Sequence, residues 1–245
     1  MEGREAAAPP IRPRRGLVLL VGLAGAVLCG LALPATGARL AELAGRQAAE
    51  RLAAGGQLTE DGYRRLLASS DRARSWLAEP RLLEDLAVAL YGIANREPDA
   101  AFAPAALLGD AREALVAALE AAPADPIAWL RLAQIEAMLF DLARAAAALR
   151  ASHATGPVAP EIAVARTALA LGLWHWLAEP LRERAGRELA RSFLADPTTL
   201  AGIARATGTI EVVRRHLEGD PTALAALERE LAALARAAAR GGGAG

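Results

Sequence analysis

The sequence predicts an all-α protein: an N-terminal transmembrane helix followed by antiparallel helix pairs. Three observations carry this. Strand formers are scarce and aromatics make up 4% of the chain, whereas the strong helix formers Ala, Leu, Arg and Glu dominate. Residues 16–33, GLVLLVGLAGAVLCGLAL, run without a charge or a strongly polar group. Beyond them, apolar residues recur at three- and four-residue spacing between helix-start and helix-stop signals.

The 245 residues, 54% of them apolar, suffice for one mid-sized domain. The 28 basic residues are all Arg and balance 28 acidic ones. An Ala-, Arg- and Gly-rich chain without Lys fits a GC-rich bacterial genome. A nucleic-acid binder normally shows a basic excess or a basic patch, and neither occurs beyond the N-terminal arm, so no nucleic-acid partner is expected.

The apolar run spans about 27 Å at 1.5 Å per residue, close to the hydrocarbon thickness of a bilayer. Arg12, Arg14 and Arg15 precede it and should stay cytoplasmic, which places the following domain in the periplasm, anchored to a bacterial inner membrane. The competing reading is a cleaved signal peptide with Thr36-Gly37-Ala38 as its site, but the run exceeds a usual signal core. Cys29 lies inside the run and is the chain's one cysteine, so an intrachain disulfide is ruled out. Gly22, Ala26 and Gly30 are spaced four apart on one face, a pattern that lets two anchors self-associate or that an Ala/Gly-rich segment produces by chance.

The remaining elements follow from local signals. A helix over 35–54 ends at Gly55-Gly56, and Thr59 caps the next. Pro80 opens a helix over 81–95, residues 96–109 read as a loop, and a helix covers 110–122. Asp-Pro pairs at 125–126, 196–197 and 220–221 are helix starts, since Asp caps the free N–H groups and Pro fits the first turn. Further helices are expected over 126–139, 141–152, 160–177, 180–194, 198–206 and 210–217. A last one over 221–240 carries Leu224, Leu227, Leu231 and Leu234 on one seam, which docks on the domain as a cap or pairs with a partner helix. The organisation is therefore a basic arm (1–15), a transmembrane helix (16–34), a linker with N-terminal helices (35–95), helical repeats (96–219), a capping helix (220–240) and a tail (241–245).

From Trp129 the chain carries a periodic pattern: Leu132, Ala133, Ala145, Leu149 and Pro157. Ala111, Leu115 and Pro123 stand 34 residues earlier, and Ala185, Leu189 and Pro197 stand 40 residues later than the matching positions. This resembles the tetratricopeptide repeat, with Glu136 departing from the Tyr preferred there. The resemblance implies a tetratricopeptide-like α-solenoid. The stretch 126–217 also resembles helical domains of bacterial membrane proteins associated with exopolysaccharide or O-antigen biosynthesis. The positions that carry it are Asp125-Pro126, Trp129 to Ala133, Ala148 to Arg150, Thr155 to Pro157, Pro160-Glu161 and Ala170 to Trp174. It implies a setting rather than an activity.

The repeat resemblance implies that its first helix lines a concave surface, which puts Leu130, Gln134 and Ala137 on one stripe for a protein partner; the alternative is packing on another helix of this chain. Trp174-His175-Trp176 suggests either a sugar-stacking or enzymatic cleft, or packing within the helical stack. Trp76–Pro80 and Trp176–Pro180 share W-L-A-E-P, read as a reused helix-end and helix-start signal. His153, His175 and His216 lie outside any metal-binding spacing, and Glu183, Arg184, Arg187 and Glu188 read as a solvated face. No catalytic motif, cofactor or metal is expected, and the chain reads as a binder rather than an enzyme.

Overall fold

In the computed structural model, residues 15–53, 58–75, 79–96 and 104–241 are described, and among them the chain is helical without strands. The helices are α1 (Arg15–Glu42), α2 (Arg46–Ala53), α3 (Glu60–Arg74), α4 (Pro80–Arg96), α5 (Pro104–Ala121) and α6 (Pro126–Met138). They continue with α7 (Leu142–Thr155), α8 (Pro160–Gly172), α9 (Glu179–Ser192), α10 (Pro197–Thr207), α11 (Ile210–Leu217) and α12 (Pro221–Gly241). Short 3₁₀ turns follow α8 (Trp174–Trp176) and α9 (Phe193–Ala195).

Short connections make consecutive helices antiparallel neighbours, and α4–α5, α6–α7 and α8–α9 pair face to face. Successive pairs then stack: α4 touches α6, α6 touches α8, α8 touches α10 and α10 touches α12, while α9 touches α11. The all-helical packing fits an α-solenoid. One core runs through α4 to α9 and a second joins α8 to α12. The positions related by sequence periodicity share an environment. Ala111 and Leu115 on α5, Ala145 and Leu149 on α7, and Ala185 and Leu189 on α9 are all buried. Small residues let the helix axes approach while leucines fill the gaps between them. α12 docks on α10 and α11 through buried Ala223, Ala226 and Leu227, so its leucine seam is turned inward as a cap.

The start signals hold. Thr59 Oγ1 accepts from Gly62 N, and Asp125 Oδ1 accepts from Ile127 N and Ala128 N. Asp196 and Asp220 cap α10 and α12 in the same way. Gly208 ends α10 with φ +71°, a left-handed conformation that suits glycine.

Several boundaries differ from expectation. α1 does not end at Pro34 but runs on to Glu42, because Pro34 removes a single backbone donor; the break comes at 43–45 instead. The loop expected over 96–109 gives way to α5 from Pro104, since Pro suits a first helical turn and Gly109 meets no neighbour that requires a bend. The helix expected over 160–177 stops at Gly172, and Trp174-His175-Trp176 forms a 3₁₀ turn held by Arg182, which donates to the carbonyls of Trp174 and His175. Gly55-Gly56, the tail 242–245 and Trp76-Leu77-Ala78 lie outside the described residues. The shared pentapeptide therefore compares only at its end, where Pro80 and Pro180 both sit at helix starts.

Among the described residues no helix is long and apolar enough to cross a membrane. The run 16–33 lies within α1, and over half of its side chains fall outside the described set, those of Gly22 and Ala26 included. Of those described, Leu23, Val27, Leu28 and Leu33 are exposed, and so is Cys29.

Candidate functional site

The stripe of Leu130, Gln134 and Ala137 lies on α6, but it does not form an open face. Leu130 is 4% exposed and belongs to the main core. Ala137 packs against that core, and Gln134 is half-buried beside Tyr91, Leu115 and Arg131. At Leu130 the alternative holds, namely packing within the chain. The physical reason is that α6 is sandwiched between α5, α7 and the neighbouring α4 and α8.

The two tryptophans part company. The Trp174 ring packs against the main core and meets the His216 ring edge-on at 5.8 Å between centroids. Trp176 stands 59% exposed. They do not converge on one cleft. His216 is held by the Val212 carbonyl, 2.8 Å from Nδ1, and presses on Gly186 of α9.

What the structure brings together instead is a buried polar cluster across α7, α8 and α9. The fully buried Arg166 donates from Nη1 to the carbonyls of Ser152 (3.1 Å) and Gly156 (2.7 Å), and from Nη2 to Glu188 Oε1 (2.5 Å). His153, 1% exposed, places Nε2 3.7 Å from Glu188 Oε2, too far for a direct hydrogen bond. Burial, helped by the charges of Arg166 and Arg184, lowers the His153 imidazole to about 4, so it is neutral at pH 7. Burial raises the Glu188 carboxyl, opposed by the hydrogen bond and charge of Arg166. Ser192 Oγ donates to the Glu188 carbonyl and lies 3.1 Å from Thr167 Oγ1. A groove of about 250 Å³, bounded mainly by residues 157–160, Ala163 and Val164, opens beside Glu188 and Ser192.

Glu188 thus corrects the solvated-face reading. Glu183 and Arg187 are exposed, but Glu188 falls on the buried stripe of Leu181, Ala185 and Ser192. That spacing was visible in the sequence; its partner on another helix was not. The same holds for Glu136, whose Oε1 lies 3.2 Å from Arg112 Nε across α5 and α6. Arg131 ties α6 to Glu84 of α4 at 2.9 Å. Burial raises the Glu84 carboxyl, with neighbouring Asp125 adding to it and Arg131 opposing.

A second feature escaped the sequence. α6 ends in a Schellman arrangement: Asp141 N donates to Glu136 O (2.9 Å), and Phe140 takes φ +60° between them. That position favours Gly, yet it holds an aromatic ring 87% exposed. Phe140 follows α6 and the 174–176 turn follows α8, so Phe140 and Trp176, both exposed, lie at the same end of the stack.

Among the described residues no group of three or more His, Cys, Asp or Glu could hold a metal ion. No family model matches the chain, and no curated protein matches it.

Proposed function

We propose that the chain is a membrane-anchored, periplasmic helical-repeat scaffold that holds protein partners, in the setting of polysaccharide biosynthesis or export. The observation that carries the binding role is Phe140. Keeping a bulky residue left-handed costs about 1–2 kcal/mol, and strained positions of this kind concentrate at functional sites. Its ring is turned to solvent at the end of the stack that also exposes Trp176. Aromatic residues, Phe and Trp among them, are enriched at protein interfaces relative to the rest of the surface. The tetratricopeptide resemblance supports the same role.

The anchor is read from residues 16–33. As a sequence they run 18 residues without a charge, about the hydrocarbon thickness at 1.5 Å per residue, and they follow an arginine cluster that on this reading holds the N-terminus in the cytoplasm. The polysaccharide setting rests on the resemblance of 126–217.

The test places a photo-crosslinking residue at 140, 176 or 161 in intact membranes. Adducts with another protein should form from 140 and 176 and not from 161, on the exposed start of α8 at the opposite end of the stack. Equal labelling from all three positions, or none from 140, would defeat the reading. Extraction of membranes at alkaline pH tests the anchor separately: the chain should stay with the lipid.

A further inference from the structure

α12 docks on the stack by one face. Leu224, Leu227 and Leu231 pack into the second core. At about 100° per residue, Arg229, Arg236 and Arg240 fall on the opposite side of the helix, and all three are exposed. Ala232 and Ala233 stand exposed between them. The acids of α12 are engaged elsewhere, Glu228 with Arg214 and Glu230 with Thr198, and beyond Glu230 the helix has none. Among the described residues this arginine ridge has no carboxylate partner; the Arg240 guanidinium bonds to the Arg236 carbonyl.

α5 shows the converse. Asp110, Glu113 and Glu120 are exposed along one side of it, with Val116 and Ala117 exposed among them. The one base of α5, Arg112, is committed to Glu136 of α6. None of the three carboxylates has a cationic partner among the described residues. Asp110, Glu113 and Ala117 border a groove of about 370 Å³ between α3 and α5, whose floor includes Leu83, Leu86 and Leu90 of α4.

The two ridges match in register. Counted back from Arg240, the arginines stand at 0, 4 and 11 residues; counted forward from Asp110, the carboxylates stand at 0, 3 and 10. At 1.5 Å per residue the ridges are about 16 and 15 Å long. Laid antiparallel, Arg240 meets Asp110, Arg236 meets Glu113 and Arg229 meets Glu120, with Ala232 over Ala117. Laid parallel with their ends aligned, Arg236 falls on Ala117 and Glu113 falls on Ala232, so the middle pair is lost. Small residues between the charges let the helix axes approach. α6 to α11 lie between α5 and α12 in the stack, so the ridges do not meet within one chain.

We infer that α12 of one copy docks antiparallel along α5 of another, so that copies of this chain join head to tail. The contact is heterologous: each copy offers one surface and receives on a different one, which builds a ring or an open row and not a two-fold dimer. It goes beyond partner capture at Phe140 and depends neither on that reading nor on the membrane anchor.

The test places Ala117→Cys and Ala232→Cys in separate full-length chains that also carry Cys29→Ala. The two are mixed in detergent with oxidised glutathione. A disulfide-linked heterodimer should form from this pair and not from Ala117→Cys mixed with Val158→Cys, an exposed position between α7 and α8. Arg236→Glu in the Ala232→Cys chain, or Glu113→Arg in the Ala117→Cys chain, should lower the yield about fivefold, since an exposed attraction is exchanged for a repulsion of similar size. Mixing the two reversed chains should restore the yield, which separates lost pairing from lost fold. Raising the salt concentration should weaken the wild-type pairing. A yield no higher than with Val158→Cys, single reversals without effect, or reversed chains that fail to recover would each overturn the inference.

Discussion

Replacing Arg166 by Met isolates what the buried cluster does. Arg166 is fully buried and serves three acceptors: Glu188 Oε1, the Ser152 carbonyl and the Gly156 carbonyl. Arg166→Met keeps the volume and removes the charge. Glu188 is then an uncompensated carboxylate, its side chain 9% exposed. Breaking a buried pair in this way costs about 3–5 kcal/mol, because one charge stays desolvated without a partner. In a domain of this size each kcal/mol moves the melting temperature by about 2–4 °C, so the loss should be roughly 6–20 °C. Removing both charges acts differently. In Arg166→Met/Glu188→Met no buried charge remains, and replacing an ion pair by apolar groups is near neutral in other proteins. The carbonyls of Ser152 and Gly156 still lose a donor, though Ser152 O keeps the Gly156 N–H at 3.1 Å. The double variant should therefore recover at least half of the single variant's loss. Thermal unfolding of the full chain in detergent, followed by circular dichroism, measures both. A single variant within about 1 kcal/mol of the wild type, against the cost expected of a broken buried pair, or a double variant as unstable as the single, would refute the account of the cluster.

Three further outcomes follow from other sites. The His153 imidazole sits near 4 in the folded chain against 6.5 unfolded, so the unfolded state takes up its proton first as pH falls. Its contribution is absent above pH 6.5 and costs stability progressively between 6.5 and 4, about 3 kcal/mol in all, with Glu188's raised carboxyl acting in the opposite sense over the acidic range. His153→Gln should flatten the fall of melting temperature over that window, and an unchanged slope would be the contrary result. Phe140→Gly relieves the left-handed strain and should raise stability by about 0.5–1 kcal/mol while removing partner capture; a drop in melting temperature would contradict the strain. Gly186→Ala, favourable in most helices, should instead destabilise by about 1–3 kcal/mol, because its Cβ would meet His216 Nε2 at 2.1 Å, and His216→Ala in the same chain should restore most of the loss.

The helix order was legible because its punctuation is local. Asp125, Asp196 and Asp220 each bond backbone N–H groups two or three residues ahead, so sequence neighbours alone fix those starts. The stack was legible for a similar reason: Ala111, Ala145 and Ala185 recur where helices touch. The polar cluster was not. Arg166, Glu188 and His153 occupy core positions of their helices, but a charge interrupts an apolar stripe, and what compensates it lies 22 residues away for the Arg166–Glu188 pair. Nothing in either helix names the other. Phe140 was missed in the same way, since its conformation comes from bonds between the ends of α6 and α7 and not from its own preference. Leu130 shows the converse: a helical stripe gives a face but not what covers it.

The charged residues recur at helix contacts for a reason the apolar composition supplies. Alanine and leucine fill most buried positions of α5 to α9, so a helix displaced by one turn would present nearly the same surface. Burial alone then separates the correct register weakly from its neighbours. Arg112–Glu136 across α5–α6, Glu84–Arg131 across α4–α6 and Arg166–Glu188 across α8–α9 each close only in one register. On this hypothesis the pairs specify alignment more than they add stability, as single polar residues do in coiled coils. Exchanging the Arg112 and Glu136 charges tests it. Either single reversal leaves a carboxylate or guanidinium without its partner at a site where Glu136 is 4% exposed. Arg112→Glu/Glu136→Arg restores the attraction but places the longer guanidinium on the buried side. If register is what the pair supplies, the exchange should recover a single sharp unfolding transition even where melting temperature stays below the wild type. If the pair only adds attraction, sharpness and melting temperature should return together.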